Sequence, residues 1–129
     1  MKKLIPIFLS ALLFTGCAGT SNNQTNTYRQ ISIDEAVAMM KQETGYIILD
    51  VRRADEFAAG HIPGAINVAN ESIGTDEIPK LPDKDQLIMV YCRSGRRSKE
   101  ASEKLVKLGY TNIVEFGGIL DWKGEIVTE

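Results

Sequence analysis

Residues 87–98 read Leu-Ile-Met-Val-Tyr-Cys-Arg-Ser-Gly-Arg-Arg-Ser, an apolar run followed by an arginine-rich segment. The apolar run 87–91 predicts a strand that is buried on both of its faces. The charged segment 98–109 predicts the helix that follows, with Gly109 as its C-terminal cap. Residues 92–97 are then the loop between strand and helix. A buried strand that leads through a short loop into a helix is typical of a parallel α/β sheet.

This loop places a cysteine where negative charge is favoured. The first amides of a helix lack partners within the helix and carry the positive end of its dipole. Cys92 lies just before that end, and Arg93, Arg96 and Arg97 follow it closely. Such surroundings favour thiolate over thiol, which predicts a reactive nucleophile. The alternative is an inert buried thiol, but three arginines and a glycine do not suit an apolar pocket.

The rest of the body alternates strands and helices, which predicts a small, mainly parallel sheet with helices on both faces. A capping-box pair, Ser32 and Glu35, predicts the start of a helix that Gly45 ends. Strands are predicted over 46–51, 65–68 and 112–116. The polar connection 70–85 is expected to hold one helical turn near Ile78.

Several motifs together resemble a single-domain rhodanese over residues 31–123. They occur in the order and spacing of that family, which makes the match highly specific although each motif alone is weak. The residues that carry the resemblance are Asp50-Val51-Arg52, Glu56-Phe57, Gly60-His61-Ile62-Pro63-Gly64-Ala65-Ile66-Asn67, the Cys92 loop, and Gly117-Gly118-Ile119 with Trp122 and Gly124. The resemblance implies a rhodanese-like α/β fold.

The resemblance also implies an activity, the transfer of sulfane sulfur through a persulfide on Cys92. The sulfur would pass from thiosulfate or a persulfide to a thiophilic acceptor such as cyanide. The family's sulfurtransferases have six residues from the cysteine to the last loop residue, as here from Cys92 to Arg97. The related cell-cycle phosphatases have one more residue. A smaller ring of amides suits sulfur better than a phosphoryl group.

Roles follow for the neighbours of Cys92. We expect Arg93, Arg96 and Arg97 to attract the anionic donor, with Arg97 the most inward because it adjoins the helix. Ser94, Gly95 and Ser98 complete the anion-binding loop, and Gly95 supplies a backbone conformation that other residues resist. Each arginine could instead be a solvated surface charge.

A second group of residues is expected to support the site rather than to react. Asp50, Arg52 and Glu56 are placed to form ion pairs that hold the loops around the thiol. His61 lies in a turn motif, without the partner spacing of a triad, and Trp122 is expected in the core or the pocket wall. One histidine and one free cysteine do not make a zinc site, so no metal and no cofactor are expected.

The N-terminus predicts export and lipidation. Residues 1–16 have a positive start, an apolar core and a small-residue end, which is typical of a signal peptide. Cys17 follows at once, an order that resembles a bacterial lipoprotein signal. The segment 17–29 would then be a lipidated cysteine and a flexible tether, and 30–129 the rhodanese-like domain. We therefore expect an extracytoplasmic protein held to a membrane by its lipid.

Composition and cysteine count argue against several other classes of function. The 129 residues are 43% hydrophobic and 25% charged, which is ordinary for one globular domain. Outside the Cys92 loop no basic run is present, so nucleic acid is not an expected partner. The chain has 2 cysteines, and with Cys17 lipidated Cys92 has no resolving thiol, which argues against a dithiol oxidoreductase. The expected partners are small sulfur anions such as thiosulfate, or low-molecular-weight thiols.

Two other functions remain open from the sequence. One is a small phosphatase or arsenate reductase, which the short loop disfavours. The other is a non-catalytic module that binds sulfur or docks to a protein, which would not need a reactive thiol.

Overall fold

The computed structural model describes residues 27–129. The predicted signal peptide, the predicted lipidation site Cys17 and the tether as far as residue 26 lie outside the described residues. Within 27–129, no helix has the length and apolar character needed to cross a bilayer.

Five strands form one parallel sheet in the order β1-β5-β4-β2-β3, which confirms the predicted α/β fold. The elements of the described chain, in order, are β1 (Arg29–Gln30), α1 (Ile33–Gln42), β2 (Ile47–Asp50), α2 (Ala54–Ala59), β3 (Ile66–Asn67), β4 (Ile88–Cys92), α3 (Arg96–Lys107) and β5 (Ile113–Gly118). Short 3-10 helices span Asn70–Ser72 and Ile119–Asp121.

The central strand β4 is buried on both faces, as its apolar run predicts. Successive side chains of a strand point to opposite faces, and those of β4 divide between two cores. Ile88, Val90 and Cys92 pack with Ala101 and Leu105 of α3. On the other face, Met89 and Tyr91 pack with Ala36 of α1. Helices therefore cover both faces of the sheet, and the thiol at the end of β4 faces α3.

The start of α1 is confirmed and its end is earlier than predicted. Ser32 and Glu35 form the reciprocal capping box, with the Ser32 hydroxyl accepting from the Glu35 amide at 3.1 Å. The helix ends at Gln42, because Glu43 is already extended, rather than at Gly45.

The helix after the thiol begins two residues earlier than Ser98, which corrects the predicted loop. Gly95 has a φ of 114° and serves as the N-cap, so Arg96 and Arg97 are the first residues of α3. Glycine adopts this left-handed backbone without the steric cost that other residues meet. The chain therefore turns from strand to helix within Arg93, Ser94 and Gly95.

The predicted helical turn near Ile78 is wrong. That position starts a hydrogen-bonded turn in which Leu81 donates to the Ile78 carbonyl at 2.9 Å. The one helical turn of this connection lies instead at Asn70–Ser72. Here short-range turn geometry, with Pro79 in the middle, decides the local structure.

The end of β5 supports the loop that follows Cys92. Gly118 pairs with Cys92 across the sheet, after a register irregularity between Val90 and Cys92. A side chain at Gly118 would overlap the Arg93 carbonyl and the Ser94 backbone. The Leu120 amide donates to the same Arg93 carbonyl at 3.2 Å. The chain beyond β5 therefore lies directly against the loop, and only glycine permits this approach.

We expect Gly118→Ala to lower the free energy of unfolding by about 1–3 kcal/mol, because the added methyl group must displace backbone rather than a flexible side chain. Urea denaturation measures the change. Gly74→Ala is the matched control, since nothing lies within 4 Å of a methyl group at that position. Equal stabilities of the two variants would contradict the close approach.

Candidate active site

The sulfur of Cys92 lies inside the turn that follows β4. The residue is 1% exposed, and its Sγ accepts a hydrogen bond from the Gly95 amide at 3.0 Å. Ser98 Oγ, on the first turn of α3, lies 3.4 Å from the same sulfur. The turn thus surrounds the sulfur with an amide donor and a hydroxyl group at the positive end of a helix. These groups favour a negatively charged sulfur.

The three arginines after Cys92 occupy different surroundings. Arg97 is the most buried of them, as predicted, with 17% of its side chain exposed against 71% for Arg96. Arg96 pairs with Glu100 on the surface of α3 at 3.0 Å. Arg93 is exposed and has no ion pair within the described part of the chain. Of the three arginines, Arg93 and Arg96 therefore expose their charge to solvent, and Arg97 does so least.

Arg97 is held by Glu56 of α2. Its two terminal nitrogens donate to the two carboxylate oxygens of Glu56 at 2.7 and 3.1 Å. The hydrogen bond to Arg97 lowers the pKa of Glu56 from its ordinary value of 4.5 to about 2. The same hydrogen bond raises the pKa of Arg97. The bidentate pair fixes the start of α3 against α2.

Arg52 completes a second, fully buried ion pair. Its guanidinium donates to both carboxylate oxygens of Asp50, with a shortest distance of 2.6 Å, and also to the Gly60 carbonyl at 2.7 Å. The guanidinium carbon lies 5.8 Å from the ring centre of Tyr91. The pair therefore ties the end of β2 to the end of α2 beside β4. As predicted, Asp50 and Arg52 form an ion pair, while Glu56 takes Arg97 as its partner.

A cavity of about 490 Å³ opens at the mouth of the loop. Its wall consists of charged and polar side chains, namely Arg53, Asn70, Glu71, Arg93, Ser94, Arg96 and Arg97. Four of these seven residues are arginines, so the cavity suits an anion. Cys92 does not itself line this cavity, in agreement with its burial.

Sequence reasoning missed one charged group next to the thiol. Glu115, in the middle of β5, is 2% exposed. Its Oε2 accepts from the Ser98 hydroxyl at 2.5 Å and from the Gly117 amide at 3.0 Å. The available signal was a single acid inside the apolar run 113–116, but the identity of its partner depends on how α3 packs on β5.

The surroundings of His61 are those of a packed side chain. It is buried, its Nδ1 lies 2.9 Å from the Phe57 carbonyl, and its ring stacks on Phe57. Trp122 packs against the core around Phe116. Over residues 27–129, no group of three or more histidines, cysteines or acids is arranged to hold a metal ion.

Comparison with known proteins agrees with this geometry. The model of the rhodanese-like domain family matches residues 32–125. The chain is 36% identical over 73 residues to the thiosulfate sulfurtransferase PspE of Escherichia coli. This alignment covers 57% of this chain and 70% of that protein. It is 31% identical over 97 residues to the thiosulfate sulfurtransferase GlpE of Pseudomonas entomophila, covering 74% and 85%.

Solved structures show the same fold. A rhodanese with anions from E. coli superimposes with a TM-score of 0.59 at 32% identity, covering 65% of this chain and 99% of that one. A rhodanese-related protein from Thermoplasma volcanium gives a TM-score of 0.66 at 31% identity, covering 79% and 100%.

Removal of the cation from the buried Asp50–Arg52 pair should be costly. We expect Arg52→Ala to lower the free energy of unfolding by about 3–5 kcal/mol, because Asp50 is left as an unpaired buried charge. Arg53→Ala removes the neighbouring arginine, whose pair with Asp55 is exposed, and should change the free energy of unfolding far less. Denaturant unfolding of both variants measures the difference, and similar losses would mean that the Asp50–Arg52 pair is energetically unimportant.

The pair of Glu56 and Arg97 should stabilise the fold in a pH-dependent way. Because folding lowers the pKa of Glu56 to about 2, its contribution is present above pH 4.5 and is lost as the pH falls toward 2. We expect Glu56→Gln to lower the free energy of unfolding by about 1–2 kcal/mol at pH 7. The difference from the wild type should shrink through this acidic range.

Unfolding curves at several pH values test this expectation. Glu100→Gln is the control, since its pair with Arg96 is exposed and should contribute little at any pH. A Glu56→Gln difference that stayed constant down to pH 2 would show that the carboxylate charge does not stabilise the fold.

Proposed function

This chain belongs to the rhodanese-like domain family, and we propose from that premise that it is a sulfurtransferase that carries sulfane sulfur on Cys92. The observation that supports the proposal most is the position of the thiol. It lies at the carboxyl end of β4, with its sulfur bonded to the Gly95 amide at the start of α3. A sulfur in this position is stabilised as an anion and is oriented for attack.

The proposed cycle has two displacement steps at sulfur. In the first, the Cys92 thiolate attacks the outer sulfur of thiosulfate, a sulfur–sulfur bond forms, and sulfite leaves with the electron pair of the bond that breaks. In the second, an acceptor such as cyanide or a thiolate attacks the outer sulfur of the persulfide. Its product leaves and the Cys92 thiolate is regenerated. No external oxidant or reductant is required.

The charged mouth of the loop suits the donor in this cycle. Arg93 and Arg96, the most exposed of the three arginines after Cys92, line the cavity and attract an anion from solution. Ser94 and Gly95 form the turn between that cavity and the sulfur, and Arg97 is held beside it by Glu56. A cavity of about 490 Å³ admits thiosulfate and also a low-molecular-weight persulfide.

Relatives support thiosulfate as the donor class. The similar proteins from Escherichia coli and Pseudomonas entomophila are both named thiosulfate sulfurtransferases. The N-terminal sequence adds a location to the proposal. A lipid on Cys17, followed by a tether that ends where β1 begins at Arg29, would hold the domain at the surface of a bacterial membrane outside the cytoplasm.

We expect thiosulfate to add the mass of one sulfur atom to Cys92. The full chain should carry Cys17→Ser, so that Cys92 is the remaining thiol of the 2 in the sequence. Intact-mass spectrometry before and after thiosulfate treatment measures the gain, and cyanide should then remove it. The same chain with Cys92→Ser is the control and should gain nothing.

Other outcomes would redirect the assignment. A reduced, folded protein that gains no sulfur from thiosulfate or from an organic persulfide would be better explained as a non-catalytic sulfur-binding or docking module. Rapid hydrolysis of an aryl phosphate that depends on Cys92 would instead favour the phosphatase class.

A further inference from the structure

The proposed cycle gives no role to the buried carboxylate of Glu115. Burial of a charge is costly unless the charge is paired or well hydrogen-bonded. The nearest cation among the described side chains is Lys99, whose Nζ lies 3.9 Å from Oε1 and whose own side chain is half exposed. The carboxylate instead depends on short bonds from the Ser98 hydroxyl and the Gly117 amide. The Glu115 carboxylate is thus buried at a cost in free energy, and only the Ser98 hydroxyl separates it from the Cys92 thiol. This position suggests a role for it at the thiol.

The hydroxyl group of Ser98 links Glu115 to Cys92. A serine has one proton to donate and two lone pairs with which to accept. The shortest of its contacts to an acceptor is the one to Glu115 Oε2 at 2.5 Å, against 3.0 Å to the Gly95 carbonyl. The proton therefore points to the carboxylate, and a lone pair is left to accept the thiol proton of Cys92 across 3.4 Å. The result is a continuous chain from S–H through O–H to the carboxylate.

The same three side chains can also be hydrogen-bonded in the opposite direction. If the thiol proton moves to Ser98 Oγ while the serine proton moves to Glu115 Oε2, the carboxyl group becomes a donor to Ser98. Ser98 then donates to the thiolate, which also keeps the Gly95 amide at 3.0 Å. Every hydroxyl has one donor and one acceptor contact in both arrangements. No proton is lost, and the three side chains carry one negative charge throughout.

We propose that Ser98 and Glu115 form a proton relay for Cys92, in which Ser98 contacts the reacting sulfur and Glu115 acts through Ser98 to hold the thiol proton. The inference rests on the proposed role of Cys92 as the nucleophile. Its advantage is electrostatic. A buried thiolate beside an ionised carboxylate would place two negative charges where an anionic donor must bind. The relay keeps one charge, and that charge is on the sulfur when the donor arrives.

Other charged groups face this trio. Lys99, on the same helix, lies near Glu115, and its Nζ is also 3.4 Å from the Gly95 carbonyl. Arg97 interacts electrostatically with Cys92, but its guanidinium is bound to Glu56 of α2. Both cations stabilise negative charge on the trio in either arrangement. They do not supply a proton acceptor, which leaves Glu115 in that role.

The test is the pH dependence of Cys92 alkylation by iodoacetamide, in the full chain carrying Cys17→Ser and without any sulfur donor. A thiol and a carboxyl group that share one proton titrate as a coupled pair. The alkylation rate of the wild type should therefore rise with pH in two steps. Between them lies a plateau, where Cys92 and Glu115 share one proton and the thiolate is only partly formed. Glu115→Gln cannot accept the proton, so its rate should rise in one step with loss of the plateau.

Two further variants separate the relay from a general effect on packing. Ser98→Ala breaks the chain at its middle and should also remove the plateau. Ser102→Ala is the matched control, because Ser102 is buried one turn later on α3 and its hydroxyl has no hydrogen-bond partner among the described residues. It should keep both steps. Glu103→Gln, an exposed change on the same helix, should keep them as well.

Each other outcome overturns the relay. A single step in the wild-type protein does so even if the variants fail to fold. If that step then moves to lower pH in Glu115→Gln, the carboxylate acts only by repelling the thiolate. Identical profiles would mean that the two groups are not coupled. Failure of sulfur transfer is a separate result, because alkylation is measured without a donor and the persulfide is detected by mass.

Discussion

The hydrogen bond from the Gly95 amide to the sulfur of Cys92 is the contact on which the rest of the site depends. It requires a backbone that reverses within three residues, and the left-handed conformation of Gly95 allows that reversal. The same conformation starts α3 at Arg96. Gly95 therefore places both its own amide and the N-terminus of α3 next to the sulfur. Gly118 supports this turn from the other side, because the Arg93 carbonyl lies where its side chain would be.

Ion pairs around the turn divide into those that hold the structure and those that face the ligand. Both the Asp50–Arg52 pair and the Glu56–Arg97 pair are bidentate and mostly buried. The first, through the further bond from Arg52 to the Gly60 carbonyl, joins the ends of β2 and α2, and the second joins α2 to the start of α3. Their charges are compensated within the protein. Arg93 is exposed without an acidic partner in the described chain, so it remains available to an incoming anion. In the proposed cycle, attraction of the donor would therefore depend on the exposed Arg93 and Arg96 and on the positive end of α3.

The sequence predicted the fold well because its main signals are local. The apolar run of β4, the capping box at Ser32 and the alternation of elements each depend on neighbouring residues. The exact start of α3 was missed because it depends on one backbone angle at Gly95. Contacts between distant segments were also missed. The partner of Glu56 lies 41 residues away and that of Glu115 lies 17 residues away. Such pairs depend on how helices pack on the sheet, and a single sequence carries no direct record of that packing.

Burial of the thiol also bears on the choice of sulfur transfer as the chemistry. At 1% exposure, Cys92 is poorly placed to meet a large acceptor directly. A persulfide changes this, because its outer sulfur lies about 2 Å beyond Sγ. In the proposed cycle the reactive atom would then lie farther from the Gly95 turn than Sγ, which keeps its hydrogen bond to the amide. In that cycle only the small donor would have to reach into the turn. This arrangement of strand, turn and helix is therefore consistent with a protein that would bind sulfur on a buried cysteine and transfer it from an atom nearer the surface.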